Sequence, residues 1–232
     1  MKFIVFKKGI LIAAAVIIGV GAAIGICCGA AASAVSSSSS VSEKVIVIDA
    51  GHGGVDAGVL GINTKTRESD INIAIAKQLK GYFVNAGFAV VMTRKTNAGL
   101  YGAPTKGFKM RDMKKRKQII EESGADMVIS VHQNFCPIPS KRGGTAFFDK
   151  ASESGKALAD CIQKSLNALN EGIKPNEALA GDYYMLKCTQ SPSVIVECGF
   201  LSNTEDEKLL TSSEHQKEIA YAIFKGAVSF YS

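Results

Sequence analysis

The chain has 232 residues, 47% of them apolar, and a formal net charge of +6 at neutral pH. That length buries one good core and leaves little room for two domains. The positive excess suits an anionic cell-surface polymer or a plain solvated surface, and no nucleic-acid partner is expected.

The chain opens on Lys2, Lys7 and Lys8, after which no charged residue occurs from Gly9 to Ser42. The apolar run from Gly9 to Ala32 is long enough to cross about 30 Å of hydrocarbon as a helix, so residues 1–34 read as an uncleaved signal anchor. The lysines place its start in the cytoplasm and the rest of the chain on the extracytoplasmic side. Ala32-Ser33-Ala34 also fits a signal-peptidase site, and secretion after cleavage near Ala34 is the alternative. The serine run within residues 35–42 reads as a flexible linker, and residues 43–232 as the functional domain.

Within that domain, strand-length apolar runs alternate with amphipathic stretches of helix length. Lys44 to Asp49 predicts a strand, Ser69 to Asn85 a helix, Phe88 to Arg94 a strand and Phe108 to Glu122 a helix. Strands follow at Asp126 to Val131 and Gly143 to Asp149, then a helix from Ser152 to Leu169. Two more strands are expected near Tyr183 to Lys187 and at Val194 to Cys198, and a last helix from Glu214 to Val228. The order is mostly βαβα. Runs such as VIVID, MVISV and SVIVE are apolar on both faces, which predicts a mostly parallel sheet with helices on both faces, an α/β fold.

Ligands of such sheets gather beyond the carboxyl ends of the strands. His52 follows VIVID, His132 follows DMVISV, and Glu197 ends SVIVE. Each alone has a plainer reading, as a turn histidine or a buried ion-pair member; together they make a metal or acid–base site. Catalytic zinc takes three protein groups and keeps one position open. Glu68, at the threshold of the first domain helix, is the candidate third ligand, and helix-start electrostatics explains it equally well. The glycines around His52 match neither a P-loop nor a dinucleotide fingerprint; they let the backbone bend tightly. Cys136, Cys161, Cys188 and Cys198 have no CxxC spacing and do not look like a zinc site; an exported domain permits disulfides, and small buried thiols are the plainer reading.

The segments DAGHGGVDAGVLG, RESDINIAIA, SVHQNF and VECGFLSNTEDEKLL resemble, in order, the blocks of the zinc-dependent N-acetylmuramoyl-L-alanine amidases of the amidase-3 family. The resemblance implies a six-stranded sheet, one Zn2+ held by His52, Glu68 and His132, and Glu197 as the catalytic carboxylate. It implies cleavage of the amide joining the lactyl group of N-acetylmuramic acid to the L-alanine of the stem peptide, with peptidoglycan as substrate. Asn134 is a candidate for orienting substrate or for loop hydrogen bonding. Arg94 and Arg116 fall where the family tends to carry arginine, and read as ion-pair formers before substrate contacts. An N-terminal anchor on a single catalytic domain is similar to the CwlD-type spore-cortex amidases, which make muramic δ-lactam. A general wall-remodelling amidase and a non-catalytic peptidoglycan-binding domain are the alternatives, and a protein activator is not readable from the sequence.

Overall fold

The structure, a computed structural model, describes residues 44–169 and 172–232. The expected anchor (1–34) and linker (35–42) lie outside them; among the described residues no helix is long and apolar enough to cross a membrane. The elements run β1 (Val45–Ala50), α1 (Glu68–Asn85), β2 (Ala89–Met92), α2 (Phe108–Ser123), β3 (Met127–Asn134), β4 (Thr145–Phe148), α3 (Glu153–Asn167), β5 (Leu179–Ala180), a 3-10 turn (Tyr184–Lys187), β6 (Ser193–Phe200), α4 (Thr204–Leu210) and α5 (Ser213–Ser229).

One six-stranded sheet has the order β2-β1-β3-β6-β4-β5. Its neighbours pair in parallel, except β4 against β6. Side chains alternate between the two faces of a strand, and the burial of this sheet follows that alternation. Ile46, Ile48, Met127, Ile129, Val131, Val194 and Val196 form one core with α1, α3 and α5, and α5 packs against both of the other helices. Val47, Val128 and Ile195 point the other way, onto Ile120 of α2 and onto Met185 and Leu186 of the 3-10 turn. The expected helices on both faces are present, three on one side and α2 on the other.

Three readings change. Tyr184–Lys187 is a 3-10 turn, not a strand: the adjacent Met185 and Leu186 pack into the same cluster on the α2 face, whereas neighbours in a strand point to opposite faces. His132 lies inside β3, which runs on to Asn134, and β6 runs past Cys198 to Phe200. Arg94 makes carbonyl contacts instead of ion pairs, as described below.

The chain order places the site. From β1 the chain moves to β2 on one side, and then crosses back to β3 on the other side. Connections therefore leave β1 and β3 in opposite senses, which opens a crevice beyond their carboxyl ends. His52 follows β1 and His132 sits in β3, on the two sides of that crevice.

Candidate metal centre

His132 and Glu197 are register partners on adjacent parallel strands, so their side chains stand side by side on the α2 face of the sheet. Glu68 starts α1, which packs on the opposite face, and its carboxylate reaches the crevice over the sheet edge. It is 2% exposed. Its Oε1 lies 2.9 Å from His132 Nδ1 and 3.2 Å from His52 Nε2. One ligand atom from each of His52, Glu68 and His132 falls within 4.8 Å of the other two.

The backbone is shaped to allow this. His52 takes φ 61°, a left-handed conformation that costs a side-chain-bearing residue energy and recurs at functional sites. A Cβ on Gly51 would fall 2.1 Å from the His132 ring, and one on Gly58 would fall 2.2 Å from Glu68 Oε2 and 2.8 Å from His52 Cδ2. Both glycines leave the space that the cluster fills.

Outer contacts hold each member. His52 Nδ1 is 2.9 Å from Asp56 Oδ2, and reciprocal backbone bonds between Gly53 and Asp56 make the tight turn that brings that carboxylate back. A carboxylate on Nδ1 leaves Nε2 to face a metal. Glu68 Oε2 accepts from the Val59 amide at 2.9 Å, and Oε1 from the Gln133 amide at 3.1 Å and the Asn72 side chain at 3.2 Å. Asp56 was not foreseen; an acid four residues after the histidine was the available signal.

Two imidazoles and one carboxylate are the donor set that zinc takes in hydrolytic sites. The electrostatics agree. Burial alone would lower the His52 pKa, but hydrogen bonds and charge from Glu68 and Asp56 raise it to about 8. For Glu68, burial works upward and is overcome by the two imidazoles, which hold the carboxyl well below its usual range. The cluster favours added positive charge, which a dication supplies.

Glu197 has the opposite character. Burial raises its pKa; His132 and His52 lower it and Glu68 raises it further, and the balance is upward. Its Oε2 is buried without a hydrogen-bond partner among the described residues. A carboxylate poised above its ordinary range, with a free buried oxygen, is suited to exchanging protons.

Beneath the cluster lies a charged support. Arg116, 1% exposed, donates to Asp49 Oδ1 and Asp112 Oδ2, both at 2.6 Å, and to the carbonyls of Ala50 at 2.7 Å and His52 at 2.6 Å. Arg116 is thus an ion-pair former that also fixes the exit of β1. Arg94, 2% exposed, donates to the carbonyls of Ala50, Gly51, Ser69 and Thr96 at 2.7 to 2.9 Å, joining the end of β1 to the start of α1. Asn134 accepts from the Phe135 amide at 2.8 Å and lines the cleft. His215 pairs with Glu218 away from the cluster, and the four cysteines are unpaired.

Asp49 links this support to pH. Burial works against its charge, but Arg116, the hydroxyls of Ser130 and Thr93, and His132 lower its pKa to about 2. A depressed folded-state pKa adds stability above the unfolded value, and that stability is lost as pH falls towards 2. The shift from 3.8 to about 2 corresponds to about 2 kcal/mol. Urea unfolding of wild type and Asp49→Asn, with chelator throughout, should therefore show a stability gap that narrows by about 2 kcal/mol between pH 6 and pH 2. A gap independent of pH would show that Asp49 is not carrying charge.

The cluster opens into a cleft of about 490 Å³. Phe135, Tyr183, Tyr184 and Met113 give it an apolar side, and Asp56 and Lys109 a charged one.

A family model described as N-acetylmuramoyl-L-alanine amidase, Amidase_3, matches residues 46–229. The germination-specific N-acetylmuramoyl-L-alanine amidase of Bacillus subtilis strain 168 is 30% identical over 195 residues, covering 83% of this chain and 81% of its own. The CwlD amidase of Clostridioides difficile, solved in complex with the GerS lipoprotein, superposes with a TM-score of 0.78 at 37% identity, over 81% of this chain and 98% of its own. The catalytic domain of CwlV, an N-acetylmuramoyl-L-alanine amidase from Bacillus (Paenibacillus) polymyxa var. colistinus, gives 0.70 at 28% identity over 81% and 98%.

Proposed function

The chain belongs to the N-acetylmuramoyl-L-alanine amidase family Amidase_3, and we propose that His52, Glu68 and His132 hold one zinc ion at its active centre, with Glu197 as the proton-transferring carboxylate. The reaction is hydrolysis, in peptidoglycan, of the amide between the lactyl group of N-acetylmuramic acid and the L-alanine of the stem peptide. The observation that carries the site assignment is the meeting of three ligand atoms within 4.8 Å beside a buried, unpartnered Glu197 oxygen.

When bound, zinc supplies Lewis acidity: it polarises the scissile carbonyl and lowers the pKa of water towards neutrality. The chain does the rest. Glu197 takes a proton from the attacking water and delivers it to the departing amine of L-alanine, so the C–N bond breaks with a neutral leaving group. Asp56 and the amides of Val59 and Gln133 keep the ligands aimed. The exposed rings of Phe135, Tyr183 and Tyr184 offer apolar faces for the C–H side of the sugar.

Mass spectrometry of purified wall digested with residues 43–232 tests this reading. Free stem peptides beside intact glycan strands are the expected products. Unchanged wall in the presence of zinc-loaded protein would favour a binding domain.

The germination-specific relative and the CwlD neighbour support a place in spore-cortex processing, where stem-peptide removal precedes muramic δ-lactam formation. The CwlD amidase is solved in complex with the GerS lipoprotein, which supports a protein partner for this chain. The substrate lies outside the cell, and the lysine-flanked apolar run Gly9 to Ala32 supports an anchored domain on the extracytoplasmic face. Fractionation of cells should leave the full chain in the membrane; a soluble form beginning at Val35 would establish a cleaved signal.

A further inference from the structure

The cleft is rich in carboxylates. Asp49, Asp56, Glu68, Asp112 and Glu197 all line it, although an amidase of this kind must receive a stem peptide that is itself anionic. Two cationic side chains, Lys109 and Arg116, also line it. Arg116 is buried and committed to Asp49, Asp112 and two carbonyls. Lys109 is different: its side chain is 69% exposed and, among the described residues, it pairs with Asp56 Oδ1 alone, at 3.3 Å, which leaves ammonium protons for a ligand.

Its placement is not explained by the helix that carries it. Lys109 is in the first turn of α2, which holds no acidic residue, and a cation there opposes the helix dipole. The charge faces the cleft, tied to the cluster through Asp56, whose other oxygen holds His52 at 2.9 Å. Those two contacts, with one carboxylate and one imidazole between them, span at most about 11 Å from the ammonium to the metal-facing nitrogen of His52.

Resting on the amidase reading, we propose that Lys109 determines substrate preference by binding the free α-carboxylate of the second stem-peptide residue, a D-glutamate joined to its neighbour through the γ-carboxyl. That carboxylate lies two residues beyond the scissile amide, about 7 Å along an extended chain, a separation Lys109 can meet while the amide stands at the zinc ligands. The aromatic side of the cleft then faces the sugar, and the peptide leaves along the Lys109 side. A stem peptide whose second residue carries a carboxamide in place of the carboxylate lacks the partner and binds less well.

The test uses zinc-loaded protein and two sets of glycan oligomers, identical except that the second stem residue is D-isoglutamate or D-isoglutamine. The readout is the ratio of kcat/KM for acid over amide. Wild type should favour the acid about tenfold, through KM. Lys109→Met should bring the ratio close to one, Lys109→Arg should keep most of it, and Lys109→Glu should invert it. Calorimetric binding of the product peptides L-Ala-D-isoglutamate and L-Ala-D-isoglutamine should show the same pattern without turnover. If Lys109 acted only by tuning Asp56 and His52, both substrates would slow together and the ratio would hold. That result, or a wild type with no acid preference, overturns the proposal while the amidase reading stands. Zinc-loaded wild type that cleaves neither substrate overturns the amidase reading itself.

Discussion

Glu197→Gln is expected to lower stem-peptide release at least about a hundredfold, the lower part of the general acid–base range, while zinc content and melting temperature stay at wild-type values. The substitution keeps shape and volume in the middle of β6, where the backbone is fixed between β3 and β4. Glu197 Oε2 has no hydrogen-bond partner among the described residues, so that atom gives up no contact. What is lost is the ability to accept a proton. The wild-type kcat/KM should fall on the acid side as Glu197 takes up a proton, and this limb should be missing from the residual activity of Glu197→Gln. Loss of zinc from the variant would instead make Glu197 a ligand. A stable, zinc-replete variant that releases peptide at near wild-type rate would remove Glu197 from the chemistry.

The core strands were legible because VIVID, MVISV and SVIVE are apolar on both faces, and a parallel sheet between helix layers is the arrangement that buries both. Three of the four residues of the candidate centre were legible for the same reason: strand ends are marked by where apolar runs stop, and His52, His132 and Glu197 stand at those stops. Both strands run on past those stops. His132 and Glu197 continue their strands, since a polar side chain facing a cleft does not end a backbone ladder. Glu68 was harder to assign, because an acid at a helix start has an electrostatic use of its own; its second role exists only once α1 is set against the crevice.

What stayed hidden depended on turns and tertiary packing. The Tyr184–Lys187 run has strand-like residues, and its 3-10 path lets the adjacent Met185 and Leu186 pack into one cluster. The two residues of β5 are exposed and too few to show a period. Helix α4 has a local signal in Asn203 before an acidic turn, which in the structure caps the amides of Glu205 and Asp206 at 3.0 Å. Asp56 needed the Gly53 to Asp56 turn to meet His52, and Lys109 needed α2 to be laid beside the His52 loop. Neither proximity follows from residue spacing.

His132→Ala should be the most damaging single change to the metal centre. Its Nδ1 is 2.9 Å from Glu68 Oε1, and its ring fills the space that Gly51 leaves open, so removal takes away one of three donors and also loosens the wall against which Glu68 is held. Outer-contact residues of metal sites typically change affinity by about 10- to 100-fold. Loss of a ligand should exceed that, whereas Asp56→Ala, which frees His52 Nδ1, should fall within it. Competition against a chromophoric chelator gives both affinities directly. In wild type, zinc binding is coupled to folding, so chelation should lower the melting temperature; in His132→Ala it should have almost no further effect, and peptide release should drop to background. Full zinc occupancy in His132→Ala under the same chelator would rule out this ligand set, because two remaining donors cannot retain the metal as three do.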